Sequence, residues 1–252
     1  MTQRFLIRIE YDGTPFVGWQ RQANGIAVQQ VLEEAAGRLC GVQTPVQGAG
    51  RTDAGVHACG QVAHLDVPEK FDANRVTEAL NALIGDWPIT VLSAIAVDDQ
   101  THARFSAVGR RYLYRILARR APPALRRDRV WHHKQPLDAT AMQLGANRLI
   151  GRHDFTSFRA AHCQAESPVR TLDDIRVLEV EDEIHLQVAA RSFLHHQVRN
   201  ITGTLVLVGS GKWQADDVSA ALQACDRSAA GPTAPAAGLY LSDVDYPDIV
   251  WP

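Results

Sequence analysis

The segment Gly48–Ala58 combines residue types that carry out chemistry with glycines that shape a loop. Asp53 lies two residues after Arg51, and three glycines of the segment flank this pair of charges. Glycines let the backbone present a carboxylate in a tight loop, and a nearby cation keeps the carboxylate ionised near neutral pH. Asp53 therefore has the chemistry of a nucleophile or a general base. The structural alternative is a turn-forming Asp that hydrogen-bonds its own backbone.

A second chemical feature is the positive charge between Arg104 and Arg129. These 26 residues contain nine arginines and one acid, whereas the rest of the chain has 17 basic and 27 acidic residues. A local charge of +8 fits a surface that binds a polyanion, because neutralised phosphates release counterions. Arg outnumbers Lys 23 to 3 overall, so compositional bias or a solvated face is the alternative. The candidate RNA-binding residues are Arg104, Arg110, Arg111, Arg119 and Arg120.

Histidines and cysteines offer metal ligands by type but not by spacing. Adjacent histidines on a helix point about 100° apart and cannot both bind one ion, and the cluster around His57 lacks a fourth ligand at a customary spacing. The four cysteines form no CxxC pair, which is typical of unpaired thiols in a reducing compartment. We expect no metal. Dinucleotide-binding, P-loop and serine-hydrolase motifs are also absent from the sequence, which gives no support to nucleotide-driven or serine-hydrolase chemistry.

Composition is that of an ordinary globular protein. The 252 residues are 46% hydrophobic and 21% charged, with a formal net charge of -2. Such a chain buries roughly three quarters of its unfolded surface and fits one large domain or two small ones. No stretch approaches the roughly 18 apolar residues of a membrane helix, and the first residues lead into a strand rather than a signal peptide. We expect a cytoplasmic protein that does not contact membranes.

Periodicity predicts the elements that position these residues in the first half of the chain. Alternating apolar side chains predict a strand over 5–11, and helical spacing predicts a helix from Val28 to Leu39. Strands are expected at 42–47, 61–67 and 89–97, and Asp72 is expected to cap a helix that ends at Gly85. The order is β-α-β-β-α-β, in which a four-stranded sheet carries its helices on one side.

The second half has the same order. Strands are expected at 111–118, 172–180, 184–190 and 239–244, with helices at 138–150 and 194–208 and a shorter helix at 216–225. The predicted fold class is therefore α+β, with two RRM-like (βαββαβ) halves. The predicted domains are residues 1–105, which carry the Asp53 loop, and residues 106–252, which carry most of the arginine stretch.

The string Gly-Arg-Thr-Asp-Ala-Gly-Val-His-Ala at 50–58 resembles, almost residue for residue, the signature of the pseudouridine synthases, specifically the tRNA pseudouridine synthase A family. Other stretches resemble the same family in order along the chain: 11–20, 103–106 with 110–114, 193–200, and 238–241 with 245–247. The resemblance covers essentially the whole chain. Gln197 is a departure, since methionine is expected there, and it bears on packing behind the pocket.

The resemblance implies a fold and an activity. The fold would be two βαββαβ halves whose antiparallel sheets join around a basic central cleft. The activity would be the cofactor-independent isomerisation of uridine to pseudouridine at positions 38, 39 and 40 in the anticodon stem-loop of tRNA. The enzyme would be a homodimer in which each tRNA contacts both subunits.

The resemblance also implies roles for individual residues. Asp53 would be the catalytic nucleophile, attacking a flipped-out uridine at C6 of the base or at C1′ of the sugar. Tyr112 would stack on the uracil, and Arg51 would contact the RNA backbone or fill the space that the base leaves. Arg199 would pair with the catalytic carboxylate, and Leu239 is a candidate for lining the pocket. From pattern alone, Tyr112 and Leu239 are core residues and Arg199 is a surface charge.

Two other function classes are alternatives for this sequence. A noncatalytic RNA-binding protein could use the same halves, but RNP1-type aromatic motifs are absent and the triplet Arg51–Asp53 is intact. A metal-dependent hydrolase is the second alternative, and metal analysis of the purified protein would distinguish it.

Overall fold

The computed structural model describes all 252 residues, in ten strands and five α-helices. The strands are β1 Thr2–Tyr11, β2 Gln47–Gly48, β3 His57–Pro68, β4 Ile89–Val97, β5 Gly109–Ala118, β6 Trp131–His133, β7 Gly151–Asp154, β8 Val169–Val180, β9 Glu183–Ala190 and β10 Leu239–Asp245. The helices are α1 Val28–Cys40, α2 Ala73–Ile84, α3 Ala139–Ala146, α4 Gln197–Gly209 and α5 Ala215–Gln223. None of the helices has the length and apolar character that a membrane crossing requires.

The chain divides into two compact units. Unit 1 comprises residues 1–108 and 240–252, and unit 2 comprises residues 109–239. In unit 1, β1 pairs antiparallel with both β3 and β4, and the short β2 pairs antiparallel with β3. β10 pairs with β3 in parallel, joining Tyr240 to His57 and Leu241 to Ala58. Apolar residues of β1, β3, α1 and α2 are buried between the sheet and the helices, which fixes the base of the loop that carries Asp53.

The strands of unit 2 also pair mostly antiparallel. β9 pairs antiparallel with β5 and β8, β7 pairs antiparallel with β8, and β6 pairs in parallel with β5. Helix α3 packs against β8, α4 and α5. Helix α4 is buried along most of its length, so its side chains are held by packing on several sides.

The sequence signals for the starts of α2 and α3 are confirmed, whereas α3 ends at Ala146, earlier than the expected Ile150, and a short 3₁₀ helix follows at Asn147–Leu149. The side chain of Asp72 accepts a hydrogen bond from the Arg75 amide, and that of Asp138 accepts one from the Ala141 amide, as helix-capping aspartates do. Helix α2 ends at Gly85, which has a φ of 67°. The strand expected at 42–47 is shorter and later, at Gln47–Gly48, because Pro45 has no N–H to donate to a ladder.

The α+β class with two similar, mostly antiparallel halves is confirmed. The domain division at residues 105 and 106 stays a prediction. The strand at 239–244, which we assigned to the second half without a partner, pairs in parallel with β3 of unit 1. Pairing between strands that are far apart in sequence depends on side-chain packing and leaves no local signal.

Candidate active site

Asp53 lies, partly buried, in the loop between β2 and β3. The Val56 amide donates a hydrogen bond of 3.1 Å to the Asp53 carbonyl, closing a turn in which Gly55 has a φ of 74°. Glycine adopts this conformation without the steric cost that other residues meet. The preceding Thr52 is buried, and its hydroxyl lies 2.8 Å from the Tyr11 hydroxyl. Both sides of the nucleophile candidate are therefore fixed by hydrogen bonds.

The segment after β1 wraps around this loop. The Trp19 amide donates to the Thr52 carbonyl at 3.0 Å, and Gly18 forms an isolated antiparallel bridge with Asp53. A Cβ at Gly18 would lie 2.6 Å from the Thr52 carbonyl oxygen, and Gly18 has a φ of +117°. Any larger residue would push the two segments apart. The carbonyls of Gly18 and Trp19 also accept hydrogen bonds from Val28 and Gln29, the first residues of α1.

The three glycines of the loop differ in whether a larger side chain could replace them. A Cβ at Gly48 would lie 2.5 Å from the Trp19 ring, so Gly48 permits a close approach. Gly55 supplies the positive φ of the turn. A Cβ at Gly50 would meet nothing within 4 Å, so the steric explanation does not extend to this position.

Two histidines near the loop have structural hydrogen bonds. Nδ1 of His57 accepts from the Gly13 amide at 3.0 Å, and its ring stacks on Tyr240 with centroids 4.7 Å apart. Nδ1 of His64 accepts from the Ala103 amide at 3.1 Å. Burial, with a smaller contribution from His102, lowers the pKa of His64 to about 4, so this ring is neutral at physiological pH. His57 and His64 thus join β3 to the segments beside it.

Arg51 is exposed beside the buried Thr52, so its side chain is available to an RNA. Arg104, also in unit 1, is exposed, and its guanidinium lies 5.6 Å from the centre of the Phe105 ring.

Tyr112 and its neighbour Tyr114 differ in unit 2, although both lie on β5. Tyr112 is partly buried opposite Val188 of β9, and its ring makes an edge-to-face contact with Phe193, with centroids 5.0 Å apart. Tyr114 is fully buried and donates its hydroxyl to the Pro235 carbonyl at 2.7 Å. Burial raises the pKa of Tyr114. The core interpretation that pattern favours therefore describes Tyr114, while Tyr112 keeps an accessible ring.

Arg199 lies in the first turn of α4 and is partly buried. Its Nε donates to the Ala234 carbonyl at 2.8 Å, and the Ala234 amide donates to the Arg199 carbonyl at 3.1 Å. The loop at 230–238 is thereby tied to α4, which fixes the base of the Arg199 guanidinium. Leu239 follows this loop as the first residue of β10, and its side chain is buried.

Three arginines of the stretch form ion pairs within unit 2. We call Arg115, Arg119 and Arg126 the paired arginines. Arg115 makes two 2.8 Å hydrogen bonds to Glu183, and Arg119 binds Asp182 at 2.7 Å. Arg126 binds both acids. These two acids therefore offset part of the positive charge that the composition of the stretch suggests.

The paired arginines lower the pKa values of the two acids. Glu183 is only 3% exposed, and burial acts to raise its pKa. Hydrogen bonds from Arg115 and His185 outweigh burial, so the pKa of Glu183 lies below its usual range. Hydrogen bonds from Arg126 likewise lower the pKa of Asp182. Both carboxylates are ionised at neutral pH and neutralise the arginines that they contact.

The five arginines proposed from sequence thus fall into two groups. Arg104, Arg111 and Arg120 are exposed. Arg110 is buried, and its Nη1 donates to the Arg191 carbonyl at 2.8 Å, while Arg119 contacts Asp182 and the Ala121 carbonyl. The first group therefore lies at the surface, whereas Arg110 is buried and Arg119 is bound to Asp182.

Sequence reasoning missed the residues that hold the Asp53 loop. Tyr11, Gly18 and Trp19 entered only as part of a resembling string, and their contacts with Thr52 and Asp53 were not foreseen. The signal that could have found them is the pair Gly13 and Gly18 around apolar residues, which is typical of a loop that another segment approaches closely.

Comparisons with known proteins identify the family of the chain. The chain matches the family described as tRNA pseudouridine synthase over residues 7–106 and 146–247. The tRNA pseudouridine synthase A of Rhodospirillum rubrum is 59% identical over 244 residues, covering 97% of this chain and 88% of that protein. Its counterpart in Paramagnetospirillum magneticum is 57% identical, covering 96% of this chain and 95% of that protein. The counterpart in Zymomonas mobilis is 53% identical, covering 96% and 99%.

A solved structure, the crystal structure of a Cbf5-Nop10-Gar1 complex, contains a chain that aligns with 80% of this chain and 45% of its own length. The TM-score is 0.38 and the identity 12%, a likeness too remote to bear on function. The family match and the identities above 50% confirm the resemblance seen in the sequence. The chain therefore belongs to the tRNA pseudouridine synthase family, the isomerases that convert uridine in tRNA to pseudouridine.

Proposed function

We propose that this chain isomerises uridine at positions 38, 39 and 40 of the tRNA anticodon stem-loop, with Asp53 as the nucleophile on a flipped-out uridine. Family membership supports the reaction class. The observation that carries the assignment of Asp53 is the fixation of its loop by Gly18, Trp19 and Tyr11. A nucleophile that is held in place before the substrate arrives loses little entropy when it reacts.

The reaction needs no external reagent. The bond between N1 and C1′ breaks, the base rotates, and a bond forms between C5 and C1′. The proton on C5 leaves, and N1 gains a proton, so atoms and electrons balance within the nucleotide and water. A carboxylate can form a covalent adduct at C6 or at C1′, and either adduct requires the base to leave its stack. We therefore propose that no cofactor takes part.

The other site residues have supporting roles in the proposal. Tyr112 stacks on the uracil, and support comes from its partly accessible ring, which Phe193 contacts at the edge. Arg51, which is exposed, contacts the RNA backbone or occupies the space that the base leaves. Arg199 pairs with the catalytic carboxylate and keeps it ionised. Leu239 lines the apolar side of the pocket.

For binding of the tRNA, we assign direct phosphate contacts to the exposed Arg104, Arg111 and Arg120. Arg110 and Arg119, which also belong to the candidate set, act mainly by positioning, since their guanidinium groups have partners within unit 2. We also propose a homodimer in which each tRNA contacts both subunits, and a cytoplasmic location. These last two proposals rest on family membership.

The test uses anticodon stem-loop RNAs that carry C5-tritiated uridine at only one of positions 38, 39 and 40. Each should release tritium to water without an added cofactor, because the C5 proton leaves in the isomerisation. A matched RNA with labelled uridine elsewhere and cytidine at the three positions is the control. Release from the control equal to that from the test RNAs would refute the position assignment, and no release from any tRNA would refute the activity.

A further inference from the structure

Unit 2 contains a second basic site outside the arginine stretch. It is an open groove of about 290 Å³, which we call the arginine groove. Its lining residues are Arg152, Ser167, Val169, Arg170, Thr171, Arg191 and Ser192. Three arginines and three hydroxyl-bearing residues thus line one space, and no acidic residue lines it.

Sheet register assembles this groove from distant parts of the sequence. Leu172 of β8 pairs with Gly151 of β7 on one side and with Ala190 of β9 on the other. One step along the same row, Thr171 pairs with Arg152, and Arg191 follows Ala190. Three adjacent strands therefore bring these cations together, with Arg170 beside Thr171.

The groove arginines, Arg152, Arg170 and Arg191, differ from the paired arginines in their partners. None of the three lies in an ion pair, whereas arginines elsewhere in the chain pair with carboxylates, for example Arg4 with Asp66. Arg152 and Arg191 are exposed. Three unpaired cations side by side repel one another, and an anion in the groove would relieve that repulsion.

Arg170 is held in place by its own backbone surroundings. Its Nη1 donates to the carbonyls of Ser167 at 2.9 Å and Val169 at 2.7 Å. Its Nε is buried without a hydrogen-bond partner. Because the Nε is buried, Arg170 offers the groove a positive charge that Ser167 and Val169 hold in place.

The groove suits phosphate oxygens better than an organic ligand. Pockets for small organic molecules are mostly apolar, whereas Val169 is the one apolar residue here. Guanidinium groups match phosphate in planar, bidentate geometry, and hydroxyl groups add further donors. Because the groove is open, a phosphate that is part of a continuous RNA strand can lie in it.

We propose that the arginine groove binds backbone phosphates of the tRNA substrate. This inference rests on the proposed function for the identity of the RNA. The groove is connected to the residue that we propose stacks on the uracil. Ser192 lines the groove, and the next residue, Phe193, contacts the ring of Tyr112. Arg110 also donates to the Arg191 carbonyl, which fixes the backbone at the rim of the groove.

The first experiment measures tRNA affinity against salt concentration for Arg152→Gln, Arg191→Gln and their combination. Each single variant should lower the slope of log K against log salt by about 0.7 to 0.9 and weaken binding about threefold to tenfold near 0.1 M salt. Arg176→Gln is the matched control, because Arg176 is an exposed arginine of β8 that is paired with Asp174. Slopes equal to those of the wild type and the control would overturn the proposal.

Folding and chemistry are controlled separately. Since Arg152 and Arg191 are exposed, their variants should keep the unfolding midpoint of the wild type. Arg170→Lys retains the charge and should keep most of the slope while losing affinity, because Lys cannot hold two oxygens in a planar fork. Rates at saturating enzyme should be unchanged in Arg152→Gln, while its half-saturating enzyme concentration rises. A fall in the saturated rate with unchanged binding would contradict a phosphate-binding role.

A third arm separates an RNA phosphate from free inorganic phosphate. Calorimetric titration with inorganic phosphate, against sodium chloride at equal ionic strength, should show no saturable binding below about 10 mM. Saturable binding that Arg152→Gln abolishes, with unchanged RNA affinity, would make the groove a small-anion site and overturn the proposal. If the wild type binds tRNA through the groove but releases no tritium, the proposed function fails while the groove assignment stands. If tritium is released but the slopes of the groove variants are unaltered, the proposed function stands and the groove assignment fails.

Discussion

The paired arginines and the groove arginines are the same residue type in the same unit, yet the fold uses them differently. The paired arginines contact Asp182 and Glu183 at the turn between β8 and β9, with hydrogen bonds of 2.8 Å or less. The groove arginines contact no carboxylate. Close charge pairs stabilise the unit, whereas unpaired cations create a field that attracts a polyanion.

This difference shows that a run of charge in a sequence does not measure the charge on a surface. The acids that neutralise the paired arginines follow more than fifty residues later in the chain. The groove arginines are dispersed in sequence and meet only through strand register. We therefore expect substitutions of the first set to affect stability and those of the second to affect RNA binding.

The largest effect is expected from Glu183→Gln, which removes the charge at the centre of the paired set. Glu183 is 3% exposed and accepts from Arg115, Arg126 and His185. Losing a buried charge that several cations contact should lower the free energy of unfolding by about 2 to 3 kcal/mol. Urea denaturation measures this change.

The matched control is Glu179→Gln, an exposed acid of β8. Its change in stability should lie within about 0.5 kcal/mol of zero. If Glu183→Gln and Glu179→Gln were equally stable, the contacts of the paired arginines would contribute nothing to folding. The proposed difference in role between the paired arginines and the groove arginines would then be wrong.

Acid should weaken the same contacts. Because the pKa of Glu183 is lower in the folded state, its contribution is fully present above the unfolded pKa of about 4.3 and is lost as pH falls through the folded value. The wild type should therefore lose its stability advantage over Glu183→Gln progressively as the pH falls below about 5. Urea midpoints for both proteins across this range test the sign. An advantage that grows on acidification would be inconsistent with a depressed pKa.

A smaller effect is expected from Arg126→Met. The substitution removes hydrogen bonds to Asp182 and Glu183 and should cost about 1 kcal/mol of stability. The salt slope of tRNA binding should stay at the wild-type value, in contrast to Arg152→Gln. A loss of slope in Arg126→Met as large as in Arg152→Gln would show that pairing does not remove an arginine from RNA binding.

The smallest effect concerns two adjacent residues, Arg119 and Arg120. Arg119 binds Asp182, whereas Arg120 is exposed. Arg120→Gln should lower the salt slope by at most about 0.7 to 0.9, the value for one phosphate contact, and Arg119→Gln should leave it unchanged. The reverse order would indicate that Arg119 exchanges Asp182 for phosphate when RNA binds.

Much of the fold follows from local sequence. Alternation and helical spacing place β4 at 89–97 with the bounds that the structure has, and Asp72 and Asp138 mark the starts of α2 and α3. These signals depend on neighbouring residues. The partner of β10 does not, because strand pairing over long sequence distance is decided by packing.

The candidate site was predictable in part for the same reason. Asp53 is recognisable from its glycine-rich surroundings, and Gly55 adopts the positive φ that such a turn requires. Its supports at Tyr11 and Gly18 come from another segment, and their contacts emerge only in the folded chain. The arginine groove has no sequence signal, because Arg152 and Arg191 become neighbours only through the register of β7, β8 and β9.

The most direct test of the whole account is tritium release from tRNA labelled at C5 of uridine, with the wild type and Asp53→Asn compared. Asp86→Asn, an exposed aspartate of unit 1, is the control. The wild type and the control should release tritium, while Asp53→Asn should bind tRNA within about twofold of the wild type and release none, because an amide cannot form the covalent adduct. Near-normal release by Asp53→Asn would remove Asp53 from the mechanism.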